Sequence, residues 1–424
     1  MKNLYEGFLK GWILEDISKN IHPKQFGGQK GTGTEHLLVC LVDRVLKLLD
    51  RNTKQSMVIM NGVDWSQAFD RNDPTINAQK FIKLGLCPSL VPIVIDFMSK
   101  RKMQVKFNGK LSKMWDLVGG SPQGSLVGQD SYIVSSNDNT EDIDEDDVFK
   151  YIDDVNILEI VLMANLLQEY QYLEHVPNDI GTNDMFLPPG AYKMQRNLDS
   201  VSEWTRQNLM KLNTKKSNYI LFTRTHTTNF QTRLSMAGEK IDRKYFVKVL
   251  GVWLSEDVNN WTKNTTEICR KAYSRIGMLT KLKYVGFCIE DLIEIYCLFI
   301  RSTAEYCSAV FASSLTQEQE RKLTNIERTC LRIILKEMYV SYESALEMTG
   351  LISLSERRSV HLLRFAKTAA RHPVHGPRMF PENPDTKDIN DLRDKEKFVV
   401  NFARGAAYYN STIPTAQRLL NAAG

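Results

Sequence analysis

The sequence predicts an α+β domain followed by a region built of helices alone, and two observations support this prediction. Short apolar runs of strand character, separated by turn residues and amphipathic stretches, occupy the chain between residues 57 and 254. From Thr262 onward, apolar residues recur only at helical spacing, for example at Ile276, Leu279 and Leu282. This change in period indicates a change from mixed structure to helical structure.

The elements of the mixed region are assigned in order from their residue patterns. Helical periodicity marks residues 35–50, 88–100 and 194–210, and strand character marks residues 57–63, 148–152, 155–158, 218–222 and 247–254. Asn108-Gly109 is a strong signal for a two-residue hairpin turn, and it joins residues 104–107 to a return strand within 111–118. The return strand leads into the segment 121–125, Ser-Pro-Gln-Gly-Ser.

Composition limits the class of protein. The chain has 424 residues and a mass of 48.7 kDa, enough for two or three domains, and its 42% apolar and 25% charged residues are ordinary for a globular protein. No apolar run approaches the ~18 residues of a membrane-spanning helix, and the first residues lack the apolar core of a signal peptide. Seven cysteines without CxxC spacing favour reduced thiols, so we expect an intracellular protein of the nucleus or cytoplasm, with no membrane association and no zinc site. The net charge of +5 permits nucleic-acid binding.

One stretch is strongly acidic. Seven of the eleven residues in 137–147 are Asp or Glu. We expect a solvated loop that points away from any bound nucleic acid, because its backbone phosphates would repel these carboxylates.

Three aspartates are the most informative residues for function. Asp64 ends the strand-like run 57–63, and Asp153 and Asp154 lie between two further strand-like runs, which predicts a hairpin with both carboxylates at its tip. An Asp-Asp pair in a turn is commonly only a solvated turn. Crowded carboxylates repel one another, however, and their pKa values rise unless a cation neutralises them. Three anionic oxygen donors suit Mg²⁺, and two such ions roughly 3.5–4 Å apart catalyse nucleotidyl transfer.

Six segments around these aspartates resemble, in the same order along the chain, motifs of reverse transcriptases of the non-LTR retrotransposon type. They are a fingers motif at residues 25–35, palm motifs at 64–70, 119–126, 151–154 and 212–217 with 221–222, and a primer-grip hairpin at 249–254. The resemblance implies a right-hand polymerase fold of the α+β class. Its parts would be partial fingers in residues 1–55, a palm of antiparallel sheet and helices in 56–255, an all-helical thumb in 256–372, and a tail of unassigned role in 373–424.

The resemblance also implies a role for each motif residue near the aspartates. Asp64 and Asp153 would hold both metal ions, with Asp154 beside them as the third catalytic carboxylate. Phe69 would lie under the sugar of the incoming nucleotide, where its ring would collide with a 2′-hydroxyl; without the neighbouring motif it would be interpreted as a core residue. Lys216 would lie near the triphosphate and stabilise charge on pyrophosphate, although a solvated lysine would give the same pattern.

Four residues of one loop would approach the nucleotide and template: Pro122, Gln123, Gly124 and Ser125. Glycine admits backbone angles that other residues avoid, glutamine offers both a donor and an acceptor, and serine can cap the helix that follows. Gly251 would belong to the primer-grip hairpin.

Basic residues on the first thumb helix are further candidates for nucleic-acid binding. Arg270, Lys271 and Arg275 are spaced so that several share a face. They would contact the phosphates of a primer–template duplex, or they would simply form a solvated helix surface.

Together the motifs imply an RNA-directed DNA polymerase that adds dNTPs to a DNA primer on an RNA template, with two Mg²⁺ ions or with Mn²⁺ in their place. We expect an N-terminally truncated chain, because the family's preceding fingers segment and endonuclease domain are absent ahead of the fingers motif, and Asp130 stands where the family usually has an apolar residue. These departures leave open a non-catalytic, RNA-binding remnant of a retroelement. RNA-dependent RNA polymerases and group II intron-type maturases share the palm, but an RNA polymerase needs a polar group at the position of Phe69.

Overall fold

The structure, a computed structural model, describes residues 2–52, 56–122, 124–162, 189–224, 232–383 and 397–423. These residues form two compact units. The first unit lies within Met1–Gly33, Gln55–Leu221 and His226–Lys244, and the second lies within Thr34–Lys54, Phe222–Thr225 and Tyr245–Gly424. The helix predicted for residues 35–50 thus belongs to the second unit, although the motifs place it in the fingers. The limits of fingers, palm, thumb and tail stay predictions.

The helices and strands of the described residues are as follows. The strands are β1 Ser56–Val63, β2 Arg101–Met103, β3 Lys106–Phe107, β4 Lys110–Leu111, β5 Trp115–Leu117, β6 Val148–Tyr151, β7 Asp154–Leu162, β8 Asn218–Thr223, β9 Ser235–Met236, β10 Glu239–Lys240, β11 Asp242–Arg243, β12 Phe246–Val249 and β13 Val252–Ser255. The helices are α1 Lys2–Ile17, α2 Thr34–Arg51, α3 Pro74–Lys83, α4 Val91–Met98, α5 Leu126–Ser135, α6 Pro189–Gln207, α7 Thr262–Val285, α8 Ile289–Ile295, α9 Ser302–Glu305, α10 Gln317–Leu335, α11 Tyr342–Thr349, α12 Leu354–Ala370, α13 Gly376–Met379, α14 Ala406–Tyr409 and α15 Thr412–Ala422. A π-helical segment, Tyr296–Arg301, joins α8 to α9, and short 3₁₀ turns lie at Ser18–Asn20, Glu145–Asp147, Ser308–Val310, Ala312–Ser314 and Lys336–Met338.

The first unit contains a five-stranded sheet in the order β11-β8-β1-β7-β6. Strand β1 pairs antiparallel with β7 from Ser56 opposite Leu162 to Val63 opposite Val155, and β7 pairs antiparallel with β6. Strand β11 runs parallel to β8. The predicted α+β architecture with an antiparallel sheet is therefore confirmed, because the strands next to the motif aspartates, β1, β6 and β7, pair antiparallel.

One face of this sheet packs on helix α6. Alternate residues of β1 and β7, such as Met57 and Ile157, share a buried cluster with Met194 and Leu198 of the helix. Gly190 lies so close to β7 that a Cβ there would be 2.1 Å from the Ile160 carbonyl oxygen. Only glycine allows the helix to start this near the sheet, and the contact fixes where α6 begins.

A second cluster in the same unit joins α1, α3, α4 and α5 through apolar side chains such as Ile13, Phe81 and Val127. Asp130 of α5 is also buried, and the Lys10 ammonium lies 3.1 Å from its carboxylate. Burial raises the pKa of Asp130, and the attraction of Lys10 opposes this rise. The departure of Asp130 from the family pattern is thus accompanied by a cationic partner on a neighbouring helix.

The acidic stretch 137–147 is the predicted solvated loop only in part, because Glu141, Asp142, Asp144 and Asp146 are exposed but other residues pack on the protein. The Asp138 carboxylate accepts hydrogen bonds from the Lys80 ammonium at 2.6 Å and the Trp204 indole at 2.8 Å, and Asn139 is buried. Asp142 accepts from the Ser200 hydroxyl at 2.8 Å. The spacing of carboxylates along the chain could not reveal these distant donors.

The second unit contains the β12–β13 hairpin and, after Thr262, helices without any strand among the described residues, as predicted. Buried Asp50 at the end of α2 accepts hydrogen bonds from the backbone amides of Arg404 and Gly405 at 2.6 and 2.9 Å, and it pairs with Arg224 at 2.8 Å. Helix α2 therefore anchors the C-terminal segment of its own unit. No helix in the described part of the chain is long and apolar enough to cross a membrane.

The predicted Asn108-Gly109 hairpin is confirmed. Strands β3 and β4 flank the turn, and both of its residues have positive φ, 51° and 78°, as a type I′ turn requires. Other limits shift: the helix predicted for residues 88–100 begins at Val91, and the helix predicted for 194–210 covers Pro189–Gln207.

Buried Lys150 of β6 makes the stability of the first unit sensitive to pH. Its ammonium donates to the carbonyl oxygens of Ser136 and Asn137 at 3.0 and 2.9 Å, and burial lowers the pKa of Lys150 to about 7. The unfolded chain keeps this proton up to about pH 10, so the unfolded state binds more protons between about pH 7 and pH 10, and stability rises with pH across that window. We expect the free energy of unfolding in urea to increase by about 1–2 kcal/mol from about pH 7 to pH 9.

Lys150→Met is the matched control, since it fills the same space without a titrating group. Its free energy of unfolding should lack this increase. An equal increase in both proteins would assign the pH dependence to other groups.

Candidate active site

The register of β1 and β7 brings the three aspartates together. Val63 lies opposite Val155, so Asp64, the next residue after β1, lies beside Asp154 at the start of β7. Tyr151 pairs with Asp154 across the β6–β7 hairpin, which leaves Asp153 in the turn. The predicted juxtaposition of Asp64 with the hairpin is confirmed, although some ninety residues separate them along the chain.

The electrostatics of the cluster follow from this crowding. Burial and the charges of Asp153 and Asp64 raise the pKa of Asp154 to about 6. Burial also raises the pKa of Asp153, and the charge of Asp64 adds to the effect. The predicted rise in pKa is therefore confirmed for two of the carboxyls, and its largest cause is burial rather than mutual repulsion.

The chemistry of these groups fits a divalent cation. The Asp64 Oδ2 atom is buried without a hydrogen-bond partner among the described residues, and a cation would supply the missing partner. Hard carboxylate oxygens are the ligands that Mg²⁺ prefers. In the described residues no three His, Cys, Asp or Glu side chains are already arranged to hold an ion, so ion binding would require these side chains to turn toward one another.

The fourth motif holds the backbone of Asp64 through two hydrogen bonds. The Asp64 amide donates to the Ser217 hydroxyl at 3.1 Å, and the Asp64 carbonyl accepts from the Asn213 amide at 2.8 Å. Two residues further on, the Ser66 amide donates to the Lys211 carbonyl at 2.8 Å. The segment 211–217 therefore runs alongside the residues that follow β1 and holds their backbone.

Gln25 of the fingers motif holds the turn that contains Asp153. The turn of the β6–β7 hairpin consists of Ile152 and Asp153, and Ile152 has a φ of 58°, which is costly for a β-branched residue. The Gln25 side-chain oxygen accepts from the Ile152 amide at 3.0 Å and from the Gly27 amide at 3.0 Å. A Cβ on Gly27 would lie 2.7 Å from the Ile152 nitrogen, so glycine is required for this approach.

The predicted hairpin tip needs one correction. The sequence placed both Asp153 and Asp154 at the tip, whereas Asp154 is the first residue of β7 and pairs with Tyr151. The tip is Ile152-Asp153, because Gln25 stabilises the left-handed conformation of Ile152.

The second motif is tied to the end of the first. The Gly120 amide donates to the Asn72 carbonyl at 2.8 Å, and the Ser121 amide donates to the Phe69 carbonyl at 2.7 Å. Gly120 has a φ of 93°, and a Cβ there would lie 3.0 Å from the backbone of Asp70. The loop after Phe69 and the loop before α5 thus hold each other in place.

The Pro-Gln-Gly-Ser loop starts helix α5. Ser125 caps the helix as predicted, because its hydroxyl accepts from the Gly128 amide at 2.8 Å. A Cβ on Gly128 would lie 2.2 Å from the Pro122 carbonyl oxygen, so the loop folds tightly over the helix. Gly124 has a φ of 76° with open space around it, and Gln123 lies outside the described residues.

Phe69 packs against a residue that the sequence did not single out. Its ring stacks on Tyr132 of α5, with the ring centroids 4.7 Å apart and the planes inclined by 25°. Burial raises the pKa of Tyr132, and the charges of Asp153, Asp154 and Asp64 raise it further. Tyr132 therefore packs on Phe69 and lies within electrostatic range of the three aspartates. It lies only seven residues after Ser125, but no spacing rule in the sequence would have identified it.

Lys216 is exposed in the turn of the fourth motif, where its amide donates to the Asn213 carbonyl at 3.0 Å. Its neighbour Lys215 lines a cavity of about 540 Å³, together with Ser66 and Lys211. The lysines of this motif therefore lie close in sequence and in space to the residues that follow Asp64.

The remaining candidates lie in the second unit. The Arg270 guanidinium pairs with Glu267 at 2.9 Å, and Arg275 donates to the Thr303 hydroxyl at 2.6 Å and to the Phe299 carbonyl. Lys271 is half-buried on the same helix, α7.

Gly251 of the β12–β13 turn has a φ of 94°. A Cβ there would lie 3.0 Å from the Tyr306 ring, and the Tyr306 hydroxyl donates to the Leu250 carbonyl at 2.8 Å. Within the second unit, Arg275 and Gly251 thus have local structural contacts.

Gln25→Met tests the support of the hairpin. The substitution leaves two buried amides, those of Gly27 and Ile152, without an acceptor, so we expect a loss of about 2–4 kcal/mol in the free energy of unfolding measured in urea. Gln29→Met in the same motif is the control, because its side-chain nitrogen has no partner among the described residues and should cost less than about 1 kcal/mol. Equal losses in the two variants would contradict a specific role for Gln25.

Comparison with known proteins places this geometry in context. No family model matches the chain. The chain is 24% identical over 279 residues to the RNA-directed DNA polymerase from mobile element jockey of Drosophila melanogaster; the match covers 63% of this chain and 27% of the relative. The chain thus spans about a quarter of the length of that relative.

Two solved telomerase structures, each in complex with a TWJ fragment of telomeric RNA, have low overall similarity to the chain. The one from Candida albicans is 9% identical with a TM-score of 0.37, over 86% of this chain and 54% of that chain. The one from Candida tropicalis is 12% identical with a TM-score of 0.31, over 78% and 50%. By sequence, the chain is therefore similar to the RNA-directed DNA polymerase of the mobile element jockey.

Proposed function

We propose that the chain is the RNA-directed DNA polymerase part of a retroelement protein and extends a DNA primer with dNTPs on an RNA template. The observation that supports this most strongly is the β1–β7 register, which sets Asp64 beside the Asp153-Asp154 hairpin. The sequence similarity to the jockey polymerase, which covers 27% of that protein, also supports the proposal.

Asp64, Asp153 and Asp154 would hold two Mg²⁺ ions, or Mn²⁺ in their place. When bound, the ions would lower the pKa of the attacking hydroxyl and neutralise charge on the leaving oxygen. The chain itself would position the carboxylates. Gln25 holds the turn that contains Asp153, and Ser217 and Asn213 hold the backbone of Asp64. Burial, and after it the charges of Asp153 and Asp64, raise the pKa of Asp154 to about 6, and a bound cation would oppose this rise.

Selection of deoxynucleotides would depend on Phe69. Its ring stacks on buried Tyr132, and its carbonyl is bonded to the Ser121 amide, so both its side chain and its backbone are restrained. A restrained apolar ring offers no hydrogen bond to a 2′-hydroxyl and cannot easily move aside. This would favour dNTPs over ribonucleotides.

Primer extension with dNTPs and Mg²⁺ on an RNA template tests the proposal. The chain should extend the primer, and Asp153→Asn should reduce the rate at least about a hundredfold, because removing one charge-stabilising group commonly costs that much. Asp116→Asn, which changes an exposed aspartate of β5, should leave the rate unchanged. Equal extension by the chain and Asp153→Asn would contradict the assignment of the carboxylates.

Primer extension, together with a measurement of RNA binding, distinguishes the alternative functions. Salt-sensitive binding of RNA without extension would identify a non-catalytic remnant. Extension with ribonucleotides in preference to dNTPs would identify an RNA-dependent RNA polymerase and overturn the role given to Phe69.

A further inference from the structure

The second unit contains a pocket of mixed polar and apolar lining that belongs to none of the motifs. It has a volume of about 550 Å³ and lies between helix α12 and the C-terminal helix α15, with the turn Ala312–Ser314 and helix α10 completing its wall. Helix α15 is part of the tail for which the sequence suggested no role. A pocket of this size accommodates a small organic ligand.

Two arginines that line this pocket each have one guanidinium nitrogen, Nη1, without a hydrogen-bond partner within the described residues. Arg358 is only 3% exposed, and its Nη2 pairs with Glu320, but its Nη1 is buried and has no hydrogen-bond partner within the described residues. The Nη2 of Arg418 donates to the Tyr409 carbonyl at 2.8 Å and the Thr415 hydroxyl at 3.0 Å, and its Nη1 is likewise buried and unpartnered there. A buried donor without an acceptor is unfavourable, so the pocket favours a ligand that accepts hydrogen bonds.

A third polar group of the lining also lacks a hydrogen-bond partner within the described residues. The Ser313 hydroxyl lines the pocket and is buried without a partner among the residues described. The guanidinium of Arg418 lies 3.9 Å above the Tyr409 ring, which restrains it before any ligand arrives. Three residues from separate parts of the chain that line one cavity therefore each have a buried donor without a partner within the described segments.

The chemistry of the lining defines the ligand. A guanidinium fork matches the oxygens of carboxylate or phosphate, and three donors, from Arg358, Arg418 and Ser313, match in number the three terminal oxygens of a phosphoryl group. The two arginines outnumber the one carboxylate, Glu320, which is already paired with Arg358. Apolar side chains, including Val360, Leu363 and Leu419, complete the lining, so the pocket offers a nonpolar surface beside the cationic one.

We infer that this pocket binds the phosphoryl group of a nucleoside monophosphate, with the nucleoside against the apolar side chains. The phosphate would accept hydrogen bonds from the Nη1 groups of Arg358 and Arg418 and from the Ser313 hydroxyl. The phosphoryl group would come from a free nucleotide or from the 5′ end of an RNA. This site is separate from the carboxylate cluster and does not depend on polymerase activity.

Calorimetric titration of the full chain with adenosine 5′-monophosphate tests the inference, using the Asp153→Asn background so that catalysis plays no part. We expect saturable binding that Arg418→Gln weakens at least about tenfold, the usual effect of removing a charge-assisted hydrogen bond. Ser313→Ala should weaken it about threefold, and this gentler change serves if Arg418→Gln does not fold. Arg364→Gln is the matched control, because Arg364 is exposed on the same helix α12 and does not line the pocket.

Two RNA ligands identify the source of the phosphate. Tighter binding of a 5′-phosphorylated oligomer than of its 5′-hydroxyl counterpart, lost in Arg418→Gln, would assign the site to an RNA end. Binding of adenosine 5′-monophosphate with no such difference would assign it to a free nucleotide. The inference is overturned if neither phosphate-bearing ligand binds, or if Arg364→Gln weakens binding as much as Arg418→Gln.

Discussion

The pairing of β1 with β7 is the constraint on which the candidate site depends. Side chains alternate between the faces of a strand, so a slip of one residue would turn every buried residue of β1 to the opposite face and move Asp64 away from Asp154. Both faces of β1 are buried: Met57 and Ile59 belong to the apolar cluster that includes helix α6, and Val58 on the opposite face is buried as well. Hydrophobic packing therefore sets the register, and the register sets the distance between carboxylates that repel one another.

Hydrogen bonds to Gln25 and Ser217 hold the backbone of the cluster in place, but they do not remove the repulsion between its carboxylates. The chain accepts a left-handed β-branched residue at Ile152 and a buried oxygen on Asp64 that has no partner among the described residues, two unfavourable features at one place. Both lie next to backbone that Gln25 or Ser217 holds firmly. Unfavourable local features that are held in place by residues far away in the sequence are typical of functional sites, where the requirements of function and stability differ.

Much of this architecture could be predicted from the sequence because its signals are local. The Asn108-Gly109 turn, the cap at Ser125 and the change to helices after Thr262 each depend on a few neighbouring residues. The order of the motifs also predicted that Asp64 lies beside the hairpin. No pattern of neighbouring residues predicts this contact.

What the sequence could not reveal depends on contacts between residues far apart in the chain. Tyr132 stacks on Phe69, and the acidic stretch is bonded to Lys80 and Trp204, and neither contact has a local signature. Arg275 stays a predicted nucleic-acid contact, and its spacing along the helix could not reveal that its guanidinium donates to the Phe299 carbonyl of its own unit.

Thermal unfolding with and without Mg²⁺, at constant ionic strength, tests the central claim most directly, using the chain and Asp64→Asn. Without Mg²⁺, Asp64→Asn should be the more stable protein, because it relieves repulsion within the cluster. With Mg²⁺ at about a hundred times its dissociation constant, the chain should gain about 2–3 kcal/mol and the variant much less, which would reverse their order. An equal effect of Mg²⁺ on both proteins, or no effect on either, would contradict the account that β1 and β7 build a metal site.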